Sequence, residues 1–154
     1  KSLKNKNQCA VISILDWSER ESQPDLTHFA KAMMLEFEDI SDTSPVLMGK
    51  SLPDNPKIGQ DRLPHNMEER FCTMRDAKLV LEFLEKIQQD PRVNTLVVHC
   101  MAGVSRSAAV AQFVLDSYPD VTLGNQGNAN TQSMNKRFHR LLVQARRECQ
   151  TQHD

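Results

Sequence analysis

Residues 97–108 read Val97-Val98-His99-Cys100-Met101-Ala102-Gly103-Val104-Ser105-Arg106-Ser107-Ala108. A β-branched apolar run (93–98, VNTLVV) leads into this stretch and has the length of a strand. The residues after it (107–118) are apolar almost all round, which predicts a buried helix ended by Tyr118-Pro119. The loop between them therefore lies at the carboxyl end of a strand and at a helix N-terminus, two places where α/β folds bind anions.

Five residues separate Cys100 from Arg106, all small or medium in size, with Gly103 among them. A ring this tight can turn its backbone N–H groups inward as a nest for a tetrahedral oxyanion. Gly103 tolerates a backbone conformation that other residues resist. Arg106 can grip two phosphate oxygens with its planar fork. The same positive field lowers a thiol pKa, from near ~8.5 toward about 3.5–7.5 at a helix N-terminus beside cations. Cys100 is then the nucleophile. Ser107 can offer its hydroxyl to the sulfur, and the His99 ring can hydrogen-bond the loop backbone.

Working outward, residues 8–15 (QCAVISIL) read as a strand and 31–37 (KAMMLEF) as a second one. Residues 39–70 hold Pro45, Pro53, Pro56 and Pro64 with Gly49 and Gly59, show no sustained apolar period, and are expected to lack regular structure. A mobile lid and a plain surface insertion both fit them. Phe71, Met74, Ala77, Leu81, Leu84 and Ile87 form one apolar face and predict a helix over 71–89, stopped by Asp90-Pro91. Residues 121–131 are Gly/Asn-rich, and Met134, Phe138, Leu141, Ala145 and Cys149 make the stripe of a final amphipathic helix. Strands alternating with helices predict a single α/β domain over residues 1–154, with a central mixed, mostly parallel sheet flanked by helices and a Pro-rich insertion at about 41–68.

The whole chain has 154 residues, 19 Lys and Arg against 20 Asp and Glu, and a net charge of −1. That balance argues against a nucleic-acid partner and against polybasic membrane attachment. No run of about 18 apolar residues exists for a membrane span, and the polar, basic start (residues 1–8) is not expected to be a signal peptide. Cys9, Cys72, Cys100 and Cys149 are widely and irregularly spaced, without a Cys-x-x-Cys pair. A disulfide framework and a zinc site are both disfavoured, and a cytoplasmic, reducing setting is expected. Cys9, Cys72 and Cys149 read as small apolar residues.

The run His99-Cys100-Met101-Ala102-Gly103-Val104-Ser105-Arg106-Ser107 resembles the phosphate loop of the cysteine-dependent protein tyrosine phosphatases, His-Cys-x-x-Gly-x-x-Arg-Ser/Thr, and is most similar to the dual-specificity branch. The resemblance is specific over 97–111 and looser over 33–142. It implies phosphomonoester hydrolysis through a phosphocysteine, with no metal and no other cofactor. Cys100 would be the nucleophile, Arg106 would bind the phosphate and the transition state, and Ser107 would assist the thiolate. Met101, Ala102, Gly103, Val104 and Ser105 would supply backbone N–H groups. The family also implies an Asp general acid, usually about thirty residues before the Cys, and an Asn near the start of the last helix. For the Asn, Asn130 and Asn128 are candidates, and each also suits a simple cap.

Spacing and context disagree over the acid. Glu68 and Glu69 stand 32 and 31 residues before Cys100, whereas Leu35-Glu36-Phe37-Glu38-Asp39 ends an apolar strand as family members read before their acid. Context selects Asp39, with Asp42 second, and places the insertion between acid and nucleophile. A turn or cap role would equally suit an Asp there. The expected partner is a phosphoprotein, with phosphotyrosine and, through a shallow pocket, phosphoserine or phosphothreonine as substrates. The uncharged Met101, Ala102, Val104 and Ser105 disfavour a phosphoinositide. Rival readings are another phosphoester, a phosphate-binding module without turnover, and a sulfurtransferase or arsenate reductase. The oligomeric state is open.

Overall fold

The computed structural model describes residues 5–100, 105–124 and 133–151. Strand β1 (Cys9–Leu15) lies between β2 (Lys31–Glu36) and β5 (Thr95–Cys100), parallel to both. A central strand covered on both faces needs an unbroken apolar run, and all seven residues of β1 are buried. Among the described residues this sheet is wholly parallel. The mixed character expected from the sequence resolves into a separate antiparallel pair, β3 (Arg62–Leu63) with β4 (Asn66–Arg70).

Helix α1 (Met74–Gln88), helix α2 (Arg106–Ser117) and helix α3 (Lys136–Thr151) pack with α3 against both of the others. Ala10, Ile12 and Ile14, alternate residues of β1, join one main core with Leu84 of α1, Val110 and Phe113 of α2, and Phe138 and Leu141 of α3. Phe37, just beyond β2, meets Phe138 edge-on, with ring centroids 4.9 Å apart.

The sequence stripe begins the first helix at Phe71, but α1 starts at Met74. The Thr73 amide donates to Asp76 Oδ2 at 2.8 Å, so the Thr-x-x-Asp pair closes the helix start there. Phe71 and Cys72 are buried in the extended segment before it.

Residues 39–70, expected to hold no regular structure, carry a 3-10 turn (Pro45–Leu47) and the β3–β4 pair. They also have a core of their own: Leu47, Leu63 and Phe71 are buried together, with Ile40, Val46 and Leu52 against them. The Arg137 side chain of α3, wholly buried, fastens this segment down. Its Nη1 donates to Asp42 Oδ1 at 2.7 Å and its Nη2 to the Pro53 and Cys72 carbonyls at 2.9 and 2.8 Å, while the guanidinium stacks 5.4 Å from the Phe71 ring centre. Arg140 adds bonds to Asp54 at 2.9 and 3.0 Å and to Asp42 at 3.0 Å. An insertion without apolar period can still be ordered when one buried cation satisfies several of its carbonyls and carboxylates.

Candidate active site

Strand β5 ends on Cys100 and α2 begins at Arg106, so the loop between them joins a strand tip to a helix N-terminus. Met101, Ala102, Gly103 and Val104 lie outside the described residues. The two ends of the loop define the site. Ser107 Oγ sits 3.2 Å from Cys100 Sγ, and the Ser107 amide donates to the same sulfur at 3.4 Å. Cys100 is 9% exposed and Ser107 5%.

Burial pushes the Cys100 thiol up. The Ser107 hydroxyl, the Ser107 amide, the Arg106 charge and the Ser105 amide, in that order, all pull it down, and the net displacement is downward. The groups that win all stabilise an anion at the start of a helix.

Arg106 is slightly more buried than either, at 4% exposed. Its Nη1 donates to the Phe37 carbonyl at 2.8 Å, and its Nη2 lies 3.7 Å from Asp16 Oδ2. His99, the next-to-last residue of β5, is half-buried, and burial pushes its imidazole pKa down against an opposing pull from Glu19. The loop backbone that the ring was expected to hold lies outside the described residues.

The four acid candidates part company here. Asp39 Oδ1 accepts from Ser105 Oγ at 2.7 Å and from Asn135 Nδ2 at 2.9 Å, which brings this carboxylate to the rim of the Cys100–Arg106 loop across the whole insertion. Asp42 is engaged by Arg137 and Arg140 instead. Glu68 and Glu69, expected in a stretch without regular structure, belong to strand β4. Glu68 is exposed there, and Glu69 lies 3.3 Å from His65.

Asn128 and Asn130 lie outside the described residues. The Asn found against the loop is Asn135, which the sequence reading passed over. Its amide N–H donates to the Ser105 carbonyl at 3.0 Å, its Nδ2 to Asp39 and to the Ile40 carbonyl at 3.2 Å, and its Oδ1 accepts from Phe138 N at 2.9 Å. One residue thus caps α3, ties the segment that bears Asp39, and holds the loop at Ser105. The sequence did carry a signal for it, since an Asn between the first two members of the stripe, Met134 and Phe138, stands where a helix N-cap can.

No helix among the described residues is long and apolar enough to cross a membrane. Compared with known proteins, the chain matches no family model, no curated protein and no solved structure.

Proposed function

We propose that the chain is a cysteine-dependent phosphomonoester hydrolase acting on phosphotyrosine in proteins, with phosphoserine and phosphothreonine admitted by a shallow site. The observation that supports this most is the contact of Cys100 Sγ with the Ser107 hydroxyl and amide at the start of α2, beside the buried Arg106. Asp39 reaches the rim of the same loop through Ser105.

In the first step the Cys100 thiolate attacks phosphorus, forming an S–P bond as the P–O bond to the substrate oxygen breaks. Asp39 delivers a proton to that leaving oxygen. Both bonds to Asp39 from Ser105 and Asn135 fall on Oδ1, so Oδ2 is the oxygen that carries the transferred proton. Arg106 and the loop amides neutralise charge gathering on the equatorial oxygens. In the second step the Asp39 carboxylate takes a proton from water as the water attacks phosphorus. The S–P bond breaks, inorganic phosphate leaves, and the Ser107 hydroxyl receives the returning thiolate.

Hydrolysis of an aryl phosphate in the presence of a chelator, by wild type beside Cys100→Ser, tests the reading. Wild type is expected to turn over, and Cys100→Ser to lose turnover while keeping phosphate affinity. Equal turnover by both removes the proposal.

A further inference from the structure

Asp16 is the first residue after β1, and Phe37 is the first after β2. The ends of two neighbouring parallel strands thus take hold of one guanidinium, Phe37 O through Nη1 and Asp16 Oδ2 across 3.7 Å to Nη2. The third nitrogen, Nε, is buried without a partner among the described residues. A bidentate grip on an oxyanion needs two adjacent N–H groups on one edge of the guanidinium, and the Phe37 contact takes Nη1, the nitrogen that does not share the Nε–H edge. Asp16 is itself well fixed: its amide donates to Glu19 Oε1 at 3.0 Å, and Ser18 Oγ donates to its Oδ1, which leaves Oδ2 to face Arg106.

We infer that Asp16 is a positioning residue for Arg106: its carboxylate holds one side of the guanidinium, leaves the Nε side for the phosphoryl group, and offsets part of the positive charge that Arg106 presents to the Cys100 sulfur. This rests on the phosphatase reading. A buried cation beside a thiolate needs a counter-charge to stay in place, and that same counter-charge tempers the acidity of the thiol. Among the described residues the other charged and titratable groups near this pair are Asp39, at the loop rim through Ser105, Glu19, which accepts from the Asp16 amide and acts on His99, and Glu38 with Glu69 beside it. Burial pushes the Glu38 carboxyl up, the Trp17 amide opposes, Asp16 and Glu69 add to the rise, and Arg106 works against it. Glu38 is thus a weaker and more remote anion, and Asp16 is the carboxylate in ion-pair contact with Arg106.

The test is the pH dependence of Cys100 alkylation by iodoacetamide, read by peptide mapping, in wild type, Asp16→Asn and Asp16→Ser. Ser is as good a cap as Asp for the following turn, so Asp16→Ser keeps the local fold while removing the charge. Both variants are expected to move the Cys100 midpoint to lower pH by on the order of half a unit. Both should also lower kcat on an aryl phosphate about tenfold through a misplaced Arg106, with Asp16→Glu recovering part of the loss. A structural role alone would loosen the site and raise the midpoint. An unmoved or raised midpoint in both variants overturns the inference while the phosphatase reading stands. An ordinary cysteine midpoint in wild type overturns the phosphatase reading itself, and this inference with it.

Discussion

Asn135 Nδ2 donates to Asp39 Oδ1 at 2.9 Å across 96 residues of sequence. Through this bond the start of the last helix and the tip of the β2 strand share control of one carboxylate, and the Ser105 hydroxyl completes the grip at 2.7 Å. Asn135→Ala is expected to lower kcat about tenfold by freeing the acid and to cost about 2 kcal/mol by removing the cap on the buried Phe138 amide. Asn135→Asp separates the two effects. It keeps an acceptor for Phe138 N and so keeps most of the cap, but it sets a carboxylate against Asp39. Thermal melts should show a smaller loss for Asp than for Ala, and kinetics an equal or larger one.

Asp39→Asn should lower turnover by about 10²–10⁴ and remove the basic limb of the pH–rate profile. Asp42→Asn should leave the profile intact and lower stability, because Asp42 is a partner of Arg137 and Arg140. Glu68→Gln, exposed on β4, should change neither. A lost basic limb in Glu68→Gln with an intact one in Asp39→Asn would reassign the acid.

Strand β1 was legible because burial along its whole length writes itself as an unbroken apolar run, and β5 and α2 because apolar residues dominate both. The hairpin was not, because Asn66–Arg70 contains no β-branched residue. What holds it in place is Arg70, whose Nη1 donates to the Glu36 carbonyl at 2.7 Å and whose Nη2 donates to Asp76 at 2.6 and 2.7 Å. Long-range polar bonds of this kind leave no periodic trace. The small core of Leu47, Leu63 and Phe71 is equally silent, since its members stand far apart in sequence and share no period. At the site, Cys100, Arg106 and Ser107 could be named because they sit within one short loop. Asp39 could be named only from its strand context. Asn135, Asp16 and Arg137 act across the fold, and their partners could not be read from neighbouring residues.

Arg137→Met should destabilise the protein by about 3–5 kcal/mol, because Asp42 and the Cys72 and Pro53 carbonyls lose a buried, charged donor. The insertion is where the loss should appear first. Limited proteolysis is expected to cut the variant between residues 41 and 61 under conditions that leave wild type whole.

Cys72 gives the fold an alkaline limit. Burial pushes its thiol up to about 12 against an opposing pull from Arg137, while in the unfolded chain a thiol titrates near ~8.5. Below that lower value both states hold the proton and the contribution is fully present. As pH rises toward the folded value the unfolded chain releases its proton first, and stability falls by up to about 1.4 kcal/mol per pH unit. Denaturant melts of wild type and Cys72→Ala between pH ~9 and ~11 should show a steeper decline in wild type. Parallel declines would contradict the assignment.

The phosphocysteine is the species on which the proposed chemistry turns, and Asp39→Asn should let it accumulate when the substrate has a good leaving group, because the same substitution removes the base for its hydrolysis. Acid quenching of Asp39→Asn during turnover of an aryl phosphate, followed by mass analysis of the peptide bearing Cys100, reads it directly. The account predicts one phosphoryl group on Cys100 that vanishes in the Cys100→Ser, Asp39→Asn double variant. Steady release of phosphate with no phosphoryl group on Cys100 at any time point would contradict it.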